Sequence, residues 1–135
     1  MAILAAEVGS RGCRILLIED ETSIAEMYAS VLRLSGHEVQ VAHDGTAGLK
    51  AAREGDFDLA LLDIRTPGRD GMSVLAELAQ DTHSREWPVV MLTNFDDPAL
   101  RSRARELGAR DYLLKSKVMP RQLAELVPGW ARTCG

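Results

Sequence analysis

With 135 residues, 46% of them apolar, the chain can bury one sizeable core and is too rich in hydrophobic side chains for a disordered tail or linker. Its mild net charge of −4 argues against a general nucleic-acid surface. No apolar run approaches the ~20 residues of a transmembrane helix, and the opening MAILAAEVGSRGC lacks the basic n-region and long h-region of a signal peptide.

The first predicted strand is the apolar run 15–18 inside RILLIEDE, which ends in Glu19, Asp20 and Glu21. Ser23 with Glu26 three residues on reads as a capping box. Ile24, Met27, Val31 and Leu34 then form an apolar stripe at helical spacing that ends near Gly36. Residues 37–42 (HEVQVA) alternate as an edge strand does, and Asp44 with Gly45 opens a second helix through Leu49 and Ala52. The run 59–62 is evenly apolar, which suits a strand covered on both faces, and it ends at Asp63. Pro67, Gly68 and Gly71 mark a loop into a helix carrying Val74, Leu75 and Leu78 on one face. Residues 89–92 end at Thr93, Asp97 caps a fourth helix with Pro98 in its first turn, and Gly108 ends it. Residues 111–114 end at Lys115. Pro120 starts a short last helix with Leu123, Leu126 and Val127, stopped by Pro128. Such strand–helix alternation predicts a doubly wound α/β sandwich: a five-stranded parallel sheet, flavodoxin-like, with right-handed crossovers and strand order 2-1-3-4-5.

In open α/β sheets ligands gather at the carboxyl ends of the strands. Asp63 alone would read as a helix cap or turn former, and Glu19-Asp20-Glu21 alone as a solvated loop. Two strands of one parallel sheet, however, deliver their acids to the same edge. Clustered carboxylates repel unless a cation or solvent screens them, and an oxygen set of this kind suits Mg²⁺. Thr93 and Lys115 add a hydroxyl and an ammonium at equivalent strand ends. The four together form a kit for holding a phosphoryl group on Asp63 as nucleophile, with Mg²⁺ neutralising charge and Thr93 and Lys115 binding phosphoryl oxygens.

On these motifs the chain, over residues 14–127, resembles the receiver domain of bacterial two-component response regulators (CheY-like). The matching residues are Glu19 and Asp20, the stretch from Asp63 through Pro67 to Gly71, Thr93, Tyr112 and Lys115. The resemblance implies Mg²⁺-dependent phosphotransfer from the phosphohistidine of a sensor histidine kinase or phosphotransfer protein to Asp63. It implies metal ligands from Glu19, Asp20, Asp63 and the backbone carbonyl of Arg65. It also implies that Thr93 moves toward the phosphoryl group while the switch aromatic Tyr112 swings into the vacated space, reshaping the face of the fourth helix, fifth strand and fifth helix. The implied protein is a cytoplasmic phosphoacceptor signalling domain, not an enzyme. Its partners would be the kinase, a downstream protein and a second copy in a phosphorylation-dependent homodimer, with neither direct nucleic-acid nor membrane binding. The chain departs from the family at Ser116, where Pro is usual after the lysine, at Asn94 after the threonine, and in having Glu-Asp for the commoner Asp-Asp. A cis bond before a non-proline residue costs about 2.5–4 kcal/mol, so the bond between Lys115 and Ser116 should be trans, in a reshaped turn from which the ammonium still reaches Asp63.

Other readings are weaker. A haloacid-dehalogenase-type phosphatase also uses an Asp ending a strand but needs a second Asp two residues on, where this chain has Arg65. The three histidines lack zinc-ligand spacing, and no phosphate-binding glycine loop follows the first strand. Arg101, Arg103, Arg105 and Arg110 read as a solvated helix face. Cys13 and Cys134 lie near opposite ends without metal-ligand spacing and read as free thiols of a reduced cytoplasm. Residues 1–13 read as an N-terminal extension and 128–135 as a C-terminal tail too short for an effector. This favours a stand-alone receiver over the receiver portion of a longer transcription factor or hybrid kinase.

Overall fold

The structure is a computed structural model in which residues 12–65 and 70–131 are described. Five strands and five helices alternate: β1 (Arg14–Ile18), α1 (Thr22–Leu34), β2 (Glu38–Ala42), α2 (Gly45–Glu54), β3 (Leu59–Asp63), α3 (Gly71–Gln80), β4 (Val89–Thr93), α4 (Pro98–Glu106), β5 (Asp111–Leu114) and α5 (Pro120–Trp130), with a 3-10 turn at Lys115–Lys117 between the last two. All strand pairs are parallel and the sheet order is 2-1-3-4-5, the flavodoxin-like CheY fold.

Every residue of β3 and β4 is buried, so their unbroken apolar runs are satisfied by cover on both faces. Side chains alternate along each strand. Leu16, Ile18, Ala60, Leu62 and Met91 pack with α2, α3 and α4, while Ile15, Leu17, Leu59, Leu61 and Leu92 pack with α1 and α5. Each fully buried Leu or Ile contributes about 1.5–3 kcal/mol of transfer free energy, so the sheet centre anchors the fold. β2 is an edge strand with alternating exposure, as its sequence predicts. Asp44 and Asp97 cap α2 and α4 by accepting the N–H groups of Ala47 (2.7 Å) and Ala99 (2.9 Å). Gly36 takes φ 97°, a left-handed conformation that lets the chain reverse from α1 into β2.

Four sequence expectations need correction. The Ser23 capping box does not form: the helix starts at Thr22, its cap is Glu21 without a side-chain bond, and the Glu21 N–H is held by Glu19 Oε2 at 3.2 Å. The buried face of α1 is Ala25, Tyr28, Ala29 and Leu32; of the expected stripe, Ile24 and Val31 pack half-buried against that core and Met27 and Leu34 do not. Met27 and Leu34 are exposed. Pro128 does not stop α5, and Leu126 is exposed. A proline inside a helix costs about 3 kcal/mol. Here the burial of Val127 and Trp130, with Trp130 Nε1 donating to Asp111 Oδ2 at 3.2 Å, offsets it, so the boundary expected at 128 falls inside the helix. Finally, Cys13 is disulfide-bonded instead of free. It precedes β1 and belongs to the same apolar cluster as Trp130 and Ala131, so both ends of the described chain meet at one pole; Cys134 lies outside the described residues.

Candidate functional site

The parallel register fixes which side chains meet at the carboxyl edge. Asp63, the last residue of β3, pairs with Leu92, and Thr93, one residue on, pairs with Leu114. Lys115 follows directly. Glu19 leaves the end of β1 with its N–H donating to the Ala42 carbonyl at 2.9 Å, so β2 holds it in place. Asp63, Asp20, Glu21, Arg65, Asp70, Asn94, Phe95 and Lys115 line an open pocket of about 570 Å³.

The Lys115 ammonium lies 2.8 Å from Asp63 Oδ2 and 2.5 Å from Glu19 Oε1, and all three side chains are at least nine-tenths buried. Asp63 Oδ1 accepts the N–H of Arg65 at 3.1 Å, so both its oxygens are held. Burial raises the Glu19 pKa above 4.5, with the Lys115 hydrogen bond opposing the shift. Burial alone would lower the Lys115 pKa, but its hydrogen bonds to Asp63 and Glu19 outweigh this and hold it above 10.5. One cation thus serves two buried carboxylates. The peptide bond between Lys115 and Ser116 is trans, as expected: there are no cis bonds among the described residues. Lys115 opens the 3-10 turn and reaches Asp63 from it.

Carboxylate oxygens of Glu19, Asp20 and Asp63 lie within 4.8 Å of one another. Glu19 and Asp63 are buried and Asp20 is exposed at the pocket. Three hard oxygen donors with one solvent-facing member fit a hydrated Mg²⁺ or similar divalent ion.

Gly71 lets the acid loop close. Its N–H donates to the Ile64 carbonyl at 2.9 Å, and a Cβ there would meet the Asp63 carbonyl oxygen at 2.5 Å and Ile64 Cα at 2.6 Å. Pro67 and Gly68, also expected in this loop, lie outside the described residues.

The Thr93 side chain is fully buried, and its Oγ1 accepts the Phe95 N–H at 3.1 Å. Tyr112 is buried on β5 with its hydroxyl donating to the Phe95 carbonyl at 2.7 Å, and burial raises its pKa above 10. Sequence reasoning missed Phe95, which both contacts converge on; an aromatic two positions after the strand-end threonine was the available signal. It also grouped Arg101 with a solvated face, whereas this guanidinium stacks 4.6 Å over the Tyr112 ring.

Residues 15–127 match the response regulator receiver domain. The uncharacterized transcriptional regulatory protein YkoG of Bacillus subtilis (strain 168) is 37% identical over 113 residues, 84% of this chain and 47% of that protein. The DNA-binding response regulator MtrA of Mycobacterium tuberculosis (strain ATCC 25618 / H37Rv) is 42% identical over 102 residues, 76% of this chain and 43% of that protein. The chain therefore spans less than half the length of these relatives. Among solved structures, chemotaxis response regulator CheY4 of Vibrio cholerae superposes with a TM-score of 0.81 at 25% identity, covering 87% of this chain and 98% of that one. The Mn(2+)-bound form of response regulator Rcp1 gives a TM-score of 0.80 at 28% identity, covering 91% and 97%.

Proposed function

Because the chain belongs to the response regulator receiver domain family, we propose that Asp63 is its phosphoacceptor in a two-component phosphorelay. A carboxylate oxygen of Asp63 attacks the phosphorus of a kinase or phosphotransfer-protein phosphohistidine. The P–N bond breaks, the imidazole leaves with that electron pair, and the new P–O bond makes an acyl phosphate. Lys115 and the Thr93 hydroxyl then donate to phosphoryl oxygens, and Lys115 balances the added charge. A divalent ion held by Glu19, Asp20, Asp63 and the Arg65 carbonyl would screen carboxylate and phosphoryl charge; Mg²⁺ is the expected ion, and the Mn²⁺-bound relative supports a divalent site.

The observation that carries this reading is the buried Asp63 held by Lys115 beside an acid cluster at one sheet edge. The unit spans residues 14–130, acts as a signalling domain of a bacterial cytoplasm, and presents the face of α4, β5 and α5 to its target. Incubation with acetyl phosphate and Mg²⁺ should add one phosphoryl mass, and Asp63→Asn should abolish it; labelling that survives the substitution refutes the assignment.

The relatives' names and the half-length match favour a second arrangement, in which this receiver is one part of a longer DNA-binding regulator. The full open reading frame decides between that and a stand-alone receiver.

A further inference from the structure

The two ends of the described chain share one pole but are held with unequal firmness. Cys13 is fully buried; its N–H donates to His37 Nδ1 at 3.0 Å and its carbonyl accepts the Glu38 N–H at 2.9 Å. A Cβ on Gly12 would overlap the Gly36 carbonyl, so the backbone is closely fitted there as well. The last turn of α5 is weaker. Pro128 and Gly129 are the two poorest helix formers, and Pro128 has no N–H for the Ala124 carbonyl. A Cβ on Gly129 would meet nothing within 4 Å, so no close packing requires a glycine there. The ties of this turn to β5 are long: Trp130 Nε1 to Asp111 Oδ2 at 3.2 Å, and Arg110 Nη2 to the Gly129 carbonyl at 3.3 Å.

Cys13 is disulfide-bonded, and the chain has two cysteines. Ala131 packs in the apolar cluster of Cys13, and Cys134 follows three residues later. Three residues span up to about 10 Å, more than the roughly 4.4–6.8 Å between bridged Cα atoms. We propose that Cys13 and Cys134 form a redox-operated clasp, closed by small-molecule disulfides and opened by thiols, that decides whether the last turn of α5 stays folded. The inference rests on the cytoplasmic placement proposed above, since disulfides in that compartment are mostly transient or redox-sensing; it is independent of the chemistry at Asp63. On closing, one protein thiolate attacks a small-molecule disulfide such as oxidised glutathione, whose S–S bond breaks and releases a thiolate. The second protein thiolate then attacks the mixed disulfide and expels the second small thiolate. Two electrons pass from the cysteine pair to the oxidant, and the two thiol protons go to the released thiolates. Closed, the bond ties the weak turn to the firm anchor. Open, Pro128 and Gly129 let the turn unwind and release Trp130.

The full chain is equilibrated in mixtures of reduced and oxidised glutathione, quenched in acid and alkylated in denaturant. Intact mass counts the free thiols, and tryptic peptides identify the bridge. The oxidised chain should carry no alkyl group and yield one linked peptide pair holding Cys13 and Cys134. Excess reduced glutathione should convert nearly all of it to the two-thiol form. A bridge between two copies, or a glutathione adduct without an internal bridge, overturns the pairing. A bond that persists in excess reduced glutathione is a fixed staple and overturns the switch. Amide hydrogen exchange reads the consequence: residues 129–131 should exchange at least tenfold faster in the reduced chain than in the oxidised one, beyond any change at Leu61 in β3. Cys134→Ser, which leaves the buried Cys13 in place, should match the reduced chain without any reductant. Equal exchange at 129–131 in the oxidised and reduced chains, or a Cys134→Ser chain as protected as the oxidised one, overturns the clasp. Acetyl-phosphate labelling of both forms tests the phosphoacceptor reading separately, so its failure leaves the thiol result standing.

Discussion

Lys115 and Asp63 stand 52 residues apart in the chain and meet at 2.8 Å, because β3 and β5 end at the same edge of one parallel sheet. The same ammonium reaches Glu19 from β1, so three strands are joined through a single side chain. Opposite charges buried together cost desolvation, and only close pairing offsets it.

Lys115→Ala should therefore destabilise the fold as well as impair phosphoryl retention. Breaking a buried pair costs about 3–5 kcal/mol, and the open pocket beside Asp63 argues for the lower end. The effect should depend on pH. Burial already holds the Glu19 pKa above 4.5, so ionised Glu19 opposes folding as pH rises from there, and without Lys115 that opposition grows. Urea unfolding of both proteins at about pH 7 and about pH 4.5 checks this; a larger loss at the acid end contradicts it.

The acid cluster is unequal in what it can offer a cation. Glu19 is buried and already engaged by Lys115 and the Glu21 N–H, whereas Asp20 is exposed at the pocket. Asp20→Ala should weaken Mg²⁺ binding roughly tenfold or more, about 1.4 kcal/mol, and Glu19→Ala by less. Calorimetric titration measures both, and equal affinity in wild type and Asp20→Ala disproves the ligand assignment.

Gly71→Ala should lower stability by roughly 1–3 kcal/mol despite alanine's better helix propensity. The added carbon meets backbone atoms of Asp63 and Ile64, which cannot swing aside as a flexible side chain would. Slower acetyl-phosphate labelling should accompany the loss, since the clash is with the peptide of Asp63, the proposed phosphoacceptor. A variant as stable as wild type would mean that the loop closes otherwise.

His37 gives the fold an acid-side limit. Burial lowers its pKa below 6.5, and its Nδ1 accepts the Cys13 N–H at 3.0 Å, which needs that nitrogen unprotonated. The unfolded chain then binds more protons than the folded one as pH falls through 6.5, so stability drops there and is full above it. One such bond is worth about 1 kcal/mol. Melting temperatures at about pH 7.5 and about pH 5.5 should differ less in His37→Phe than in wild type; identical differences remove His37 from the account.

The strands were legible because β3 and β4 are buried on both sides, which leaves only apolar residues to occupy them. The acid, hydroxyl and ammonium positions followed from those strand ends. Helix faces were harder to read. In α1 the buried face is offset by one residue from the expected stripe, and its two alanines do not stand out when large apolar side chains set the count. The end of α5 was hidden because local proline chemistry predicts a stop, while Trp130 finds its partner on β5, 19 residues away. The contacts of Phe95 and Arg101 with Tyr112 escaped for the same reason: Tyr112 is 17 residues from Phe95 and 11 from Arg101.

The anchoring of Trp130 to Asp111 bears on how any longer polypeptide would be wired. Asp111 begins β5 and Asp63 ends β3, so in a parallel sheet they mark opposite poles, separated by the length of a strand, about 13–17 Å. A domain attached beyond Trp130 would start at the pole that phosphate never touches. News of phosphorylation would have to reach it along the flank of the molecule, which makes the outer helices the wiring and the buried sheet the insulation.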